Sequence, residues 1–184
     1  MQRRFGSRCC AGAHALQESD IPLVALFRHN LWANLRLLDA CTALNEQQLA
    51  ATTAGTYGPI YNTLRHIVAA EQGYLRRLTG RQPEPPLGPE DNPDVAALRA
   101  YARHFGEGLI AAAASTTPAD VVPLEWDDQQ WPVPASLILT QVINHATEHR
   151  AQVMTILTQQ GIEPPDLSGW AYIEEHVTPT TEVG

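Results

Sequence analysis

Two histidines in the last third of the chain have the spacing of a metal clamp. His145 and His149 lie one helical turn apart in a segment without proline between Ala135 and Gln160. In a helix, residues i and i+4 share a face, about 5 to 6 Å apart at Cβ, so two neutral imidazoles can converge on one divalent ion. Apolar residues at helical spacing place both histidines on the core-facing seam, where an unpartnered ring nitrogen costs about 1 to 3 kcal/mol. The pattern favours a metal site over two hydrogen-bonded core histidines. The seam residues are Ile138, Val142, Val153 and Ile156.

A candidate third ligand lies on the second long helix. His66 is on a stripe of small residues that includes Ala69, Ala70 and Gly73, beside the main apolar stripe of that helix. Small residues around a histidine allow a neighbouring helix or a ligand to approach closely. On the pattern alone, an exposed histidine on a small-residue face remains the alternative interpretation.

Composition limits the classes of function. The 184 residues are 44% hydrophobic, which suits one domain with a sizeable core. The net charge of −8 disfavours nucleic acid and anionic membranes as partners. All 12 basic residues are arginines, so the chain cannot provide a P-loop lysine or the Schiff-base lysine of pyridoxal phosphate enzymes. No apolar run approaches the ~18 residues of a membrane span. We therefore expect a small-molecule substrate.

The cysteines and the first residues of the chain indicate the cellular compartment of the protein. Cys9, Cys10 and Cys41 form an odd set without metal-ligand spacing, which is typical of free thiols in a reducing compartment. No apolar segment follows the arginines near the start, so these residues do not resemble a secretory signal. We expect a cytoplasmic protein in which residues 1–18 are a flexible arm, residues 19–176 the folded domain and residues 177–184 a tail.

Capping and breaking residues divide the domain into helices. Ser19 or Asp20 is a candidate cap for the first helix, and Gly80 and Gly161 are stop signals for the second and fourth. A proline-rich segment at 81–93 cannot be helical and separates the second helix from the third. Alternating residues over 121–133 indicate a small hairpin. The predicted long helices cover residues 20–41, 59–79, 94–115 and 135–160, with short helical turns at 46–51 and 170–176.

These elements predict an all-α fold. Four helices of about 20 residues, with one long crossover between helices two and three, are typical of a four-helix bundle. A small hairpin or loop is expected before helix four. Metal sites in such bundles are assembled from inward side chains on facing helices, which is where the three histidines are expected.

The chain also resembles a known family. The resemblance rests on residues 26–38 with Trp32-Ala33-Asn34, on residues 58–78 with Thr63 to Ile67 and Glu71, and on residues 144–152. Together these segments resemble the DinB/YfiT-like metal-binding superfamily over about residues 20–176. Members are four-helix bundles that hold a divalent metal, usually zinc or nickel, and tend to form homodimers. The resemblance implies that His66, His145 and His149 are the metal ligands.

Three histidine ligands leave a fourth position open for water or substrate, as in catalytic rather than structural zinc sites. The resemblance implies thiol-dependent S-transferases and isomerases, which use low-molecular-weight thiols such as bacillithiol, mycothiol or glutathione. We expect metal-activated thiol chemistry. Arg65 and Arg150 adjoin the ligands in sequence and are candidates for holding a carboxylate of the thiol, the alternative being solvated arginines on helix faces.

Two other functions remain open. His145, Glu148 and His149 also match the His-x-x-Glu-His pattern of a metallopeptidase family, in which Glu148 would be the catalytic general base of a hydrolase. A glutamate three residues from one histidine points about 60° away from it, so Glu148 is better placed beside the site than in it. The third hypothesis is a metal-binding or ligand-binding protein without turnover.

Two further features belong to the surroundings of the site. Glu71 lies one turn and a residue beyond His66. It is a candidate to accept a hydrogen bond from a ligand histidine and so to orient its ring. Trp126 and Trp131 could form a wall above the metal, although packing of the loop onto the bundle is the ordinary role of such aromatics.

Overall fold

The computed structural model describes residues 21–177, and this part of the chain is mostly helical. It contains six helices and one two-stranded antiparallel sheet. The arm expected at residues 1–18, with Cys9 and Cys10, and the tail beyond Val177 lie outside the described residues. The elements are α1 Pro22–Cys41, α2 Glu46–Leu49, α3 Ile60–Thr79, α4 Val95–Ser115, β1 Val121–Trp126, β2 Gln129–Pro134, α5 Ala135–Gln159 and α6 Gly169–His176.

The helix ends follow local capping chemistry. The Asp94 carboxylate accepts a hydrogen bond from the amide of Ala97 at 2.7 Å, which satisfies one of the free amides at the start of α4. Gly80 ends α3 with a φ of 69°, a left-handed conformation that glycine adopts without steric cost. The predicted bounds of the four long helices are confirmed to within two residues wherever the structure describes them.

The predicted hairpin is a true antiparallel sheet, so the all-α class is not exact. Val121 pairs with Pro134 at one end of the sheet and Trp126 with Gln129 at the other. Asp127 and Asp128 form the two-residue turn with φ values of 52° and 57°, as short right-twisted hairpins require. The branched and aromatic residues along β1 and β2 favour extended strands, which is why this segment forms a paired sheet and not a loop.

The four long helices pack as a bundle around one hydrophobic core. α1 packs against α4 and α5, and α3 also packs against α4 and α5, so the three predicted ligands lie on neighbouring helices. Within residues 21–177, no helix is both long and apolar enough to cross a membrane. The largest fully buried apolar side chains are Phe27, Leu37, Leu38, Ile60, Leu64, Leu98, Phe105, Leu109, Leu139, Ile156 and Leu157.

The crossover between α3 and α4 is tied to α3 by polar contacts. The Gln72 side chain accepts from the amide of Leu87 at 2.6 Å and donates to its carbonyl at 3.0 Å. Arg65 donates to the carbonyls of Gly88 and Asp91, each at 2.8 Å. The crossover therefore lies against α3, on the helix that carries His66.

Candidate metal centre

Three histidines from α3 and α5 converge at one point. The Nε2 atoms of His66 and His145 lie 2.9 Å apart. One ring nitrogen from each of His66, His145 and His149 can be chosen so that all three lie within 4.8 Å of one another. Of these residues His149 is buried, with 8% of its surface exposed. The packing of α3 on α5 thus brings residues separated by about half the chain into one cluster.

Gln152 fixes the orientation of His149. Its Oε1 accepts a hydrogen bond from the backbone amide of Tyr57 at 3.0 Å and lies 2.9 Å from Nδ1 of His149. An amide oxygen only accepts hydrogen bonds, so Nδ1 of His149 carries the proton. In the neutral ring the lone pair is then on Nε2, the nitrogen that can bind an ion.

Tyr57 covers one side of the cluster. Its ring stacks on His66, with 4.2 Å between centroids and 17° between planes. It meets His149 edge to face, with 5.2 Å between centroids. Tyr57 precedes α3, so the loop that leads into this helix helps to hold both rings in place.

The electrostatics of the cluster favour neutral imidazoles. Burial, together with the neighbouring rings of His149 and His66, lowers the pKa of His145 to about 4. Burial and the proximity of His149 also lower the pKa of His66. Histidine binds metal in its neutral form, so these ligands require no deprotonation at neutral pH.

The donor set fits a divalent transition metal. Three nitrogens around a tetrahedral ion at about 2.0 to 2.1 Å are separated from one another by about 3.3 Å. The separations here range from 2.9 Å to at most 4.8 Å, so small ring movements would suffice. Imidazole suits zinc, nickel, iron and copper, and no carboxylate belongs to the cluster within residues 21–177.

A cavity of about 480 Å³ opens beside His66 and His145. Its floor is the small-residue stripe of α3, and the hairpin and the start of α5 provide apolar walls. Trp126 lines it and stacks on Trp131, with 4.5 Å between centroids. The other lining residues are Ala69, Ala70, Gly73, Tyr74, Arg77, Leu124, Val133, Leu137, Ile138 and Gln141.

Comparison with known proteins agrees with this geometry. Residues 16–181 match the profile of the DinB family. The chain belongs to the DinB family. No curated protein matches the chain. The resemblance found in the sequence is thus confirmed, and the three histidines lie together in a DinB family protein as that resemblance implies.

Neither candidate arginine of this DinB family protein is a member of the histidine cluster, although Arg65 lines a small cavity together with His66 and Tyr57. Arg65 donates to carbonyls of the crossover, as described above. Arg150 is buried, with 5% of its surface exposed, and donates to Oδ1 of both Asn30 and Asn34 at 2.7 Å. Neighbours in a helix differ in direction by about 100°, which explains why Arg150 leaves the face of His149.

Glu148 lies apart from the site. Its side chain is exposed on α5, and it is not a member of the cluster. Within the described part of the chain it has no hydrogen bond or ion pair. The general-base role considered for Glu148 has no supporting contact in this arrangement.

A buried polar network near the site was not anticipated from the sequence. Oε1 of Glu71 accepts from Asn30 at 2.8 Å and from Asn34 at 2.7 Å, and Arg150 donates to both asparagines. Glu71 therefore does not orient a ligand histidine, which corrects that expectation. Burial raises its pKa to about 7, against the lowering effects of Asn30, Arg150 and Asn34, and its Oε2 has no hydrogen-bond partner among residues 21–177.

Two contributors to the site were also missed. Gln152 is one turn beyond His149 on the same helix face, and Tyr57 is the aromatic residue just before α3. The spacing of Gln152 from His149 was a usable signal, because residues i and i+3 are neighbours on a helix. The position of Tyr57 depends on a loop and had no such signal.

Proposed function

We propose that this DinB family protein binds one divalent metal ion through His66, His145 and His149 and uses it in thiol-dependent chemistry on a small molecule. The observation that carries the proposal is the convergence of three imidazoles beside an apolar cavity. A structural site would have four protein ligands, whereas three leave one position for a reactant. Zinc and nickel are the metals we expect.

When bound, such an ion lowers the pKa of a thiol or water molecule that takes the open position. The protein residues have complementary roles. Gln152 holds the proton of His149 on Nδ1, and Tyr57 limits the movement of His66. The apolar cavity beside His66 and His145 provides room for a substrate.

The chemistry proposed is the transfer of a thiol to an electrophile. The thiol gives up its proton to solvent, its sulfur forms a bond to an electrophilic carbon, and the leaving group departs with the bonding electron pair. Low-molecular-weight thiols are the co-substrates we propose, and the cavity provides room for the electrophile. The exposed position of Glu148 favours this reaction over hydrolysis with a glutamate base.

Quaternary structure and partners complete the proposal. We propose that the protein is a homodimer, as the family resemblance implies, and that it is cytoplasmic, as its odd set of cysteines suggests. Its net charge of −8 supports a small-molecule substrate rather than nucleic acid.

Cobalt substitution tests the function. The cobalt-loaded protein would be titrated with glutathione and with 2-mercaptoethanol while its absorption spectrum is recorded. Thiol consumption with chlorodinitrobenzene, whose leaving group is chloride, would then be compared for wild type, His149→Ala and the control His104→Ala. His104 lies on α4, outside the cluster.

We expect a sulfur-to-cobalt band and faster thiol consumption in wild type and His104→Ala, and neither in His149→Ala. A bound metal whose spectrum does not respond to any thiol would overturn the thiol function and leave a metal-binding protein without turnover.

A further inference from the structure

Among residues 21–177, a single cationic side chain lines the cavity beside the histidines. This residue is Arg77, which is exposed on α3, and no aspartate or glutamate of the described residues lines the cavity. A second cavity between α1 and α4 is lined by four arginines, but Asp39 and Glu175 line it as well. In that cavity Arg99 pairs with Asp39, and Arg36 with Glu175 at 2.7 Å. Two of the four arginines between α1 and α4 are thus paired with acidic groups of the same cavity, whereas Arg77 forms no ion pair within residues 21–177.

The position of Arg77 depends on a glycine. A Cβ at Gly73 would lie 3.1 Å from Nη1 of Arg77, so the guanidinium group folds back one helical turn over the bare backbone of Gly73. Helical side chains lean toward the N-terminus of their helix, which here is the direction of His66. The small-residue stripe therefore brings a positive charge into the cavity that contains the proposed metal ligands.

The distance between the two ends of the cavity follows from helix geometry. His66 and Gly73 are seven residues apart on α3, which corresponds to about 10 Å at 1.5 Å per residue. A ligand that reaches from the histidines to the guanidinium group would have this length. Two linked rings with a polar group at one end, or a chain of about eight carbon atoms, match it.

The surface between these two ends is apolar and partly uncovered. Trp126 is 44% exposed and Leu137 is 58% exposed, and both line the cavity. Covering apolar surface is favourable by about 25 cal/mol per Å². Ala69 and Ala70 on the facing helix leave space for a flat group between α3 and Trp126.

We propose that the small molecule that reacts at this centre is an apolar acid. Its aromatic or branched aliphatic body would lie between Trp126 and the small-residue stripe. Its carboxylate or sulfonate would pair with Arg77, and the reacting group, about 10 Å away, would face His66 and His145. The inference rests on the proposed function for the direction of the reacting group. Binding of the acid itself requires only the cavity and Arg77.

A matched pair of fluorescent probes tests the inference. Anilinonaphthalene sulfonate and N-phenylnaphthylamine share the same rings and differ by one sulfonate group. Both would be titrated into chelator-treated protein, so that binding does not depend on a metal. The variants are Arg77→Met, Ala70→Leu, which fills the cavity, and Arg76→Met. Arg76 is the adjacent exposed arginine that does not line the cavity.

We expect Arg77→Met to weaken the sulfonate probe about fivefold to tenfold and to change the neutral probe less than about twofold. Ala70→Leu should weaken both probes, and Arg76→Met neither. Equal effects of Arg77→Met on the two probes, or no effect of Ala70→Leu on either, would overturn the inference.

The metal content of the same preparations, measured before chelation, separates this inference from the function on which it rests. If the protein binds no metal but discriminates between the probes as expected, the acid-binding inference stands and the proposed function fails. If the protein binds metal but does not discriminate between the two probes, the acid-binding inference fails and the proposed function stands.

Discussion

The histidine cluster and the buried polar network both use α3 and α5, but the network also includes α1, and the two groups differ in what their polar atoms contact. α3 carries both His66 and Glu71, and α5 carries both His149 and Arg150. In the network, Asn30, Asn34 and Arg150 satisfy one another and one oxygen of Glu71. In the cluster, the ring nitrogens approach one another within a few ångströms.

The difference separates a structural role from a ligand-binding role. Polar groups that the protein pairs internally fix the packing of α1 against α3 and α5. Three imidazoles that converge on one point, with Gln152 on the outer nitrogen of His149 and no carboxylate of the described residues in the cluster, are arranged to hold an ion that arrives from outside. Disrupting the network should therefore lower the stability of the fold, whereas disrupting the cluster should lower metal affinity.

The largest effect on stability is expected for Glu71→Ala. This change leaves the side-chain amides of Asn30 and Asn34 without their acceptor and removes the carboxyl group near buried Arg150. The free energy of unfolding should fall by about 3 to 5 kcal/mol. Urea unfolding of the metal-free protein measures it. The control Glu148→Ala, at an exposed position, should change it by less than about 0.5 kcal/mol. A loss below about 1 kcal/mol for Glu71→Ala would contradict the structural role of the network.

Glu71 should also give the stability a specific dependence on pH. Burial raises its pKa from 4.5 to about 7, so between these values the folded state holds a proton that the unfolded state has released. The contribution of Glu71 to stability is therefore complete below pH 4.5 and is lost as the pH rises through about 7. The total change corresponds to about 3 kcal/mol.

Glu71→Gln should remove this dependence. The stability of the variant relative to wild type should rise by about 3 kcal/mol between pH 4.5 and pH 8. Urea unfolding with a chelator present checks the difference, and Glu148→Gln is the control that should parallel wild type. Parallel curves for wild type and Glu71→Gln would show that this carboxyl does not titrate in that window.

A smaller effect, confined to the cluster, is expected for Gln152→Ala. The variant loses the acceptor that orients His149, so zinc affinity should fall about 10- to 100-fold, or about 1.4 to 2.7 kcal/mol, with little change in metal-free stability. Competition with a chelating dye measures the affinity. Gln159→Ala, at an exposed position near the end of α5, should keep the wild-type affinity. Equal zinc affinities in the two variants would show that Gln152 does not orient His149 for metal binding.

The features predictable from the sequence are those that depend on local signals. Asp94 and Gly80 mark helix ends because their capping interactions involve residues within one turn. His145 and His149 could be paired because their relation is fixed by the helix that contains both. The hairpin was visible in the alternation of residues 121–133, although its regular pairing makes the all-α class inexact.

The features that escaped prediction depend on tertiary packing. Arg150 and Asn30 are 120 residues apart, and Asn34 and Glu71 are 37 residues apart, so their hydrogen bonds exist only once α1 lies against α3 and α5. Sequence adjacency to His149 wrongly suggested that Arg150 faces the cluster. The pair Asn30 and Asn34, spaced i,i+4 within an apolar helix, was the one local sign of a buried polar partner.

The most direct test of the central claim is the metal content of the purified and zinc-reconstituted protein, measured by mass spectrometry. His66→Ala, His145→Ala and His149→Ala would be compared with His104→Ala under the same conditions. We expect about one ion per chain in wild type and in His104→Ala, and less than about one-tenth in the other three variants. Less than about one-tenth of an ion in reconstituted wild type, or full occupancy in the three variants, would contradict a metal centre at these histidines.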